Sequence, residues 1–222
     1  MKKILILTDS IANPRPATVS DETHLEETYP FMLRKQFKDA LFYQLSFGNI
    51  TTEEIVNQAI GYLSHWKPDL IIVHSGINDC RPEAFTESQK DFFLRLTGFF
   101  SRFINKHLYN PKLIKWRQLA RVSKYRFKKT LKKFKLIFNQ SKILWIEITS
   151  APEYEKSRPG VLQRTIEYNQ IISEIYGDDL IKINKEILDN KGFNMDNIHW
   201  NKKGHKVVEK ILLKKINDDF KH

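Results

Sequence analysis

The chain has 222 residues, 41% of them apolar, 15 phenylalanines and a formal net charge of +11. That length and apolar content suit one folded domain spanning residues 1–222 and exclude a disordered polymer. A single cysteine, Cys80, excludes an intramolecular disulfide and a multi-cysteine zinc site.

No apolar run approaches the roughly 18 residues of a membrane span. The opening Met1-Lys2-Lys3 with Ile4 to Leu7 mimics a secretory leader only until Asp9 interrupts it. The expected setting is therefore cytoplasmic, with a peripheral membrane position as the variant. The charge is local: residues 101–140 carry 13 Lys and Arg and no acid, against 24 basic and 26 acidic residues elsewhere. A general nucleic-acid-binding surface explains that distribution poorly, so nucleic acid is not an expected partner.

In the opening stretch Lys3 to Ser10, the apolar run Ile4-Leu5-Ile6-Leu7, without alternation, reads as a strand buried on both faces that runs into a polar Thr8-Asp9-Ser10 tip. A stiff loop with Pro14 and Pro16 follows. A helix is expected from about Glu22 to Lys38, then a second strand from Leu41 to Phe47 ending at Gly48. Thr51 and Glu54 have capping-box spacing before the helical pattern Ile55, Ala59, Tyr62, Leu63. Leu70-Ile71-Ile72-Val73 marks a third buried strand, followed by the polar loop Ser75 to Pro82.

Thr86 with Gln89 starts another expected helix, to about His107. Asn110-Pro111 opens a basic helix expected to run to about Phe138. A fourth strand is expected at Lys142 to Thr149, a helix from Pro159 to Gly177, a fifth strand at Leu180 to Ile183 and a closing helix through Val207, Val208, Ile211, Leu212 and Ile216. Strands alternating with helices imply the α/β class: a five-stranded parallel sheet, helices on both faces, and a basic helical excursion between strands 3 and 4.

Parallel sheets hold ligands beyond the carboxyl ends of their strands. Ser10, Gly48 and Asn78 follow the first three strands. Ser10 is a candidate nucleophile. Its own N–H, that of Gly48 and the Asn78 side-chain amide are candidate donors to an oxyanion. Asp196 and His199, three residues apart, suit a base oriented by a carboxylate.

Thr8-Asp9-Ser10, Gly48, Gly76-Ile77-Asn78-Asp79 and Asp196-Asn197-Ile198-His199 resemble, in order and approximate spacing, the four sequence blocks of the SGNH/GDSL hydrolases. The resemblance implies a flavodoxin-like three-layer α/β/α fold and metal-free serine esterase chemistry with no cofactor. It carries over Ser10, Asp196 and His199 as the catalytic triad, and Ser10, Gly48 and Asn78 as the oxyanion hole. The expected activity is removal of an O-acyl, acetyl-like group from a carbohydrate or glycoconjugate through an acyl-serine. An O-acyltransferase using the same acyl-serine, or a non-catalytic ligand-binding module, are the alternatives. Thr8 departs from the family's glycine before Asp-Ser.

Arg81 and Arg15, near the strand tips, are candidate anchors for a charged substrate group. Cys80 is read as inert packing, and His65, His74 and His205 as structural. The aromatic stripe Trp116, Leu119, Val122, Phe127, Leu131, Phe134 and Phe138 is expected to pack on the body. Docking on an anionic membrane surface and contact with an acidic partner are the other readings of residues 101–140.

Overall fold

The computed structural model of the chain describes residues 1–16, 22–95 and 107–220. In chain order the elements are β1 (Lys3–Thr8), α1 (Tyr29–Gln36), β2 (Leu41–Ser46), α2 (Thr52–Ile60), α3 (Tyr62–Trp66), β3 (Leu70–His74), α4 (Ile77–Cys80) and α5 (Glu87–Arg95). After these come α6 (Pro111–Arg117), α7 (Lys124–Ile137), β4 (Lys142–Ile146), α8 (Val161–Tyr176), β5 (Leu180–Ile181), α9 (Asn184–Asp189) and α10 (Lys202–Phe220). The strands form one parallel sheet in the order β2-β1-β3-β4-β5. Helices cover both sides, as a three-layer α/β/α fold requires. α1 packs with α10, whereas α7 packs with α2 and α8.

The continuous apolar runs of β1 and β3 lie in the sheet's interior, with Ile4 to Leu7 and Leu70 to Val73 all buried. β2 is an edge strand, and Leu41 and Tyr43 on it are exposed. The Thr51–Glu54 capping box forms as its spacing requires, and Gly61 then divides the expected helix into α2 and α3. The expected helix over 22–38 shortens to a 3-10 turn, Leu25–Glu27, and α1, because Pro30 favours a helix start rather than an interior position. Residues 75–82 are not an open polar loop: α4 sits there, and all four of its residues are buried. The Thr86–Gln89 capping bonds form, and the rest of the helix expected to His107 lies outside the described residues. α8 starts two residues later than expected, at Val161 after Gly160, and stops at Gly177.

The basic stretch expected as one helix over 111–138 is two. α6 stops at Gln118, which has φ +47. Leu119 then pairs with Glu83 as an isolated antiparallel bridge, and Ser123 caps α7 by accepting from the Arg126 N–H. Bridging to Glu83 draws backbone groups out of the helical ladder, and serine is a strong N-cap that restarts it. The stripe does pack on the body: Val122, Phe127, Leu131, Phe134 and Phe138 are buried in the main core. Trp116 departs from it, at 79% exposed. Lys124, Arg126 and Lys128 pair with Glu167, Glu53 and Glu174 across to α8 and α2. Such exposed pairs each contribute about 0–1 kcal/mol, so the buried aromatics hold the excursion down. Among the described residues no helix is long and apolar enough to cross a membrane.

Candidate active site

The parallel register places three turns side by side. Thr8, the last residue of β1, pairs with Ser46 on one side and His74 on the other. Ser10 lies two residues beyond Thr8, Gly48 two beyond Ser46, and Asn78 four beyond His74. All three turns therefore leave the sheet at its carboxyl edge. Thr8 needs no glycine: its φ is not positive, and its side chain is buried in a 2.7 Å hydrogen bond with the Ser46 hydroxyl. Gly76 does need to be glycine, because its φ is +134 and a Cβ there would run into the Ile148 side chain.

Ser10 opens a short 3-10 turn capped by the Asp9 carboxylate, which accepts from the Ile11 N–H at 3.0 Å. The Ser10 Oγ is 2.9 Å from the His199 Nε2. The other ring nitrogen, Nδ1, is 2.5 Å from the Asp196 Oδ2. Asp196 Oδ1 also accepts from the backbone N–H groups of Ile198 (3.1 Å) and His199 (2.9 Å). This turn, with Asn197 at φ +64, lies between α9 and α10 and is tied to the segment that follows β4, where the Ala151 N–H donates to the Asn197 carbonyl. Burial acts to raise the Asp196 carboxyl, but the His199 ring and these N–H donors outweigh it and hold the group well below the usual carboxylate range. An ionised Asp196 accepts from the His199 Nδ1–H, leaving Nε2 to accept from the Ser10 hydroxyl.

Asn78 is buried on α4 and donates one Nδ2 hydrogen to the Ile50 carbonyl at 2.9 Å. Its second amide hydrogen is left for another acceptor. Gly48 occupies an exposed turn, with open space where a Cβ would stand. Asp79, next to Asn78, is fully buried and accepts from both the N–H and the hydroxyl of Thr52 at 2.9 Å. Burial pushes it up to about 7 against those donors. Asp9 is likewise pushed up to about 7 by burial.

The two arginines fare differently. Arg15 is half-buried and acts electrostatically on Asp196 and Asp9; burial lowers its own proton affinity and those two acids oppose the change. Arg81 is not a free anchor: its Nε donates to Glu83 at 2.8 Å and its Nη2 to Asn49 at 3.1 Å. Cys80 is buried, its thiol pushed up by desolvation, and is no nucleophile at neutral pH. Behind Ser10 and His199, His74 stacks on Trp200 at 4.4 Å between ring centroids, with Tyr29 and His205 alongside. Burial holds both of these histidines neutral, pushed down to about 3. Among the described residues no group of His, Cys, Asp and Glu is arranged to hold a metal ion. A groove along α10, floored by Met32, Val207 and Ile211 and edged by lysines, includes none of the site residues.

Local spacing had pointed to Ser10, Asn78, Asp196 and His199. It had not pointed to Asn49 or Arg121. Both Arg81 and Arg121 converge on the Asn49 side chain, and no local pattern signals a contact between residues 72 apart in sequence.

No family model matches the chain, and no curated protein matches it in sequence. Solved structures do. A lipase/acylhydrolase from Enterococcus faecalis superposes with a TM-score of 0.67 at 13% identity, covering 99% of this chain and 97% of that one. A catalytic mutant of an acetylxylan esterase from Geobacillus stearothermophilus gives 0.64 at 14% identity, with 97% and 94% covered. The psychrotrophic esterase EstA from Pseudoalteromonas sp., inhibited by monoethylphosphonate, gives 0.58 at 18% identity over the whole of both chains. The chain has the SGNH/GDSL hydrolase fold.

Proposed function

We propose that the protein is a serine ester hydrolase, with Ser10 as nucleophile, His199 as general base and acid, and Asp196 orienting the ring. The observation that carries this reading is the continuous chain Ser10 Oγ, His199 Nε2, His199 Nδ1, Asp196 Oδ2, at 2.9 and 2.5 Å. As Ser10 attacks an acyl carbonyl, its proton passes to Nε2 and the carbonyl oxygen becomes an oxyanion. The N–H groups of Ser10 and Gly48 and the second amide hydrogen of Asn78 are its proposed donors. Collapse expels the alcohol, protonated by the imidazolium, and leaves an acyl-serine that water opens by the reverse relay. Intact Ser10, Asn78, Asp196 and His199 speak against a binding module without catalysis.

The proposed substrate is a carbohydrate or glycoconjugate bearing an O-acetyl-like group. The acetylxylan esterase neighbour supports that class, as does Arg15 beside the triad, which suits a charged polar substrate. Transfer of the acyl group to a sugar hydroxyl in place of water uses the same steps and differs only in the acceptor. Release of p-nitrophenol from short-chain esters by the native chain, Ser10→Ala and His199→Ala tests the reading. Activity in the native chain and its loss in both variants are expected. A folded native protein that neither turns over these esters nor takes a serine-directed phosphonate at Ser10 would refute it.

A further inference from the structure

The turn after β2 is fastened by four side chains from two segments. Arg121 Nη1 donates to the Asn49 backbone carbonyl at 2.8 Å and to its Oδ1 at 3.0 Å. Arg81 reaches the same Oδ1, and Asn78 holds the carbonyl of Ile50. Asp79 takes the N–H of Thr52, where α2 begins. Asn49 has φ +55, a left-handed conformation that asparagine tolerates better than other side-chain-bearing residues. Gly48 thus lies between two anchored residues: Phe47, just past β2, whose N–H donates to the Thr8 carbonyl at 3.2 Å, and Asn49, held by Arg121.

Three of these ties come from α4 and the residue after it, beside the site. The fourth comes from the basic excursion, 72 residues beyond Asn49. That excursion is seated without Arg121. Leu119 bridges Glu83, the Tyr168 hydroxyl donates to the Val122 carbonyl at 2.5 Å, and the Gln118 amide donates to the Pro159 carbonyl at 2.7 Å. Arg121 is also poorly placed as a substrate anchor, since its side chain is 11% exposed and its Nε lies 3.2 Å from the Glu87 carboxylate.

Resting on the hydrolase reading, we infer that Arg121 is a positioning residue for the oxyanion hole. By gripping Asn49 it fixes the orientation of the Gly48 N–H, and so the break between α6 and α7 serves the reaction. The grip matters because a donor displaced by about 1 Å loses as much as 10²-fold in rate. Substrate binding in the ground state does not depend on it.

The test is steady-state hydrolysis of p-nitrophenyl acetate by the native chain, Arg121→Gln, Arg121→Lys, Asn49→Ala and Arg126→Gln, with thermal melting of each. Arg121→Gln is expected to lower kcat about tenfold to a hundredfold with KM within about twofold and melting unchanged. Arg121→Lys, which keeps a donor for the Asn49 carbonyl, recovers part of the loss. Asn49→Ala lowers kcat in the same way, and combined with Arg121→Gln it costs less than the product of the two. Arg126→Gln cuts a different tie between the excursion and α2 and leaves kcat unchanged. An undiminished kcat in Arg121→Gln, or a raised KM at native kcat, overturns the inference. Should Arg121→Gln fail to fold, native kcat in Asn49→Ala overturns it instead. A silent native chain with Ser10 unlabelled defeats the hydrolase reading and this inference with it. An active chain abolished by Ser10→Ala but indifferent to Arg121 defeats this inference alone.

Discussion

Ser10 and His199 stand 189 positions apart in the chain and 2.9 Å apart in the fold. The contact joins the turn after the interior strand β1 to the turn before the last helix, so it forms only when the whole sheet is assembled. His199 is 14% exposed and Asp196 46%, which leaves the pair open to a substrate from the solvent side.

Asp196→Asn keeps the shape of the turn but offers the His199 ring an amide where a carboxylate stood. The favoured tautomer then no longer presents a free Nε2 lone pair to Ser10. Loss of about 10⁴ in kcat is expected. Turnover at saturating ester measures it, and a loss below tenfold would show that Asp196 does not orient the base.

Asn78→Ala removes both the proposed oxyanion donor and the tie to the Ile50 carbonyl. A fall in kcat of about 10²–10³ is expected, with KM nearly unchanged, because the donor acts on charge that develops only during reaction. A change confined to KM would place Asn78 in substrate binding instead.

Thr8→Gly installs the residue that the family pattern carries. It breaks the buried hydrogen bond to Ser46 and puts glycine at the end of a central strand. Stability is expected to drop by about 1–2 kcal/mol with ester turnover retained. Urea denaturation beside a rate assay decides the matter, and a large loss of kcat at native stability would make Thr8 part of the machinery.

The buried groups behind Ser10 and His199 impose opposite pH trends. His74, at about 3 when folded through burial and its histidine neighbours, stays neutral while the unfolded chain takes up its proton below about 6.5. Its contribution to stability therefore falls by about 2 kcal/mol between pH 6.5 and 5. Asp9, raised to about 7 by burial, binds a proton in the folded chain that the unfolded chain does not bind until about 3.9. Its contribution rises by about 2–3 kcal/mol between pH 7 and 5. Relative to the native chain, His74→Phe is expected to gain stability on acidification and Asp9→Asn to lose it. Denaturation midpoints at pH 5 and 7 test both, and parallel behaviour of all three proteins would contradict the assignment.

What was legible in the sequence was whatever depends on near neighbours along the chain. The apolar runs Ile4 to Leu7 and Leu70 to Val73, the capping boxes at Thr51 and Thr86, the helix stop at Gly177 and the spacing of Asp196 with His199 all carry their cause within a few residues. The order of those pieces was enough to indicate a parallel sheet with Ser10, Gly48 and Asn78 at one edge.

Only the tertiary structure decided the rest. Residues 75–82 read as a polar loop, yet α4 is buried there, because Asp79 finds its donors at Thr52 on another element. The helix expected over 111–138 breaks because Glu83 takes the backbone of Leu119. Arg81 looks free in sequence and is engaged by Glu83 and Asn49, while Arg121, anonymous in a run of basic residues, grips the turn that carries Gly48. Each of these outcomes turns on a hydrogen bond or ion pair whose partner is supplied by the packing of another segment. Propensity and periodicity sense only the local chain, so they cannot register which distant donor will satisfy a given carboxylate or carbonyl.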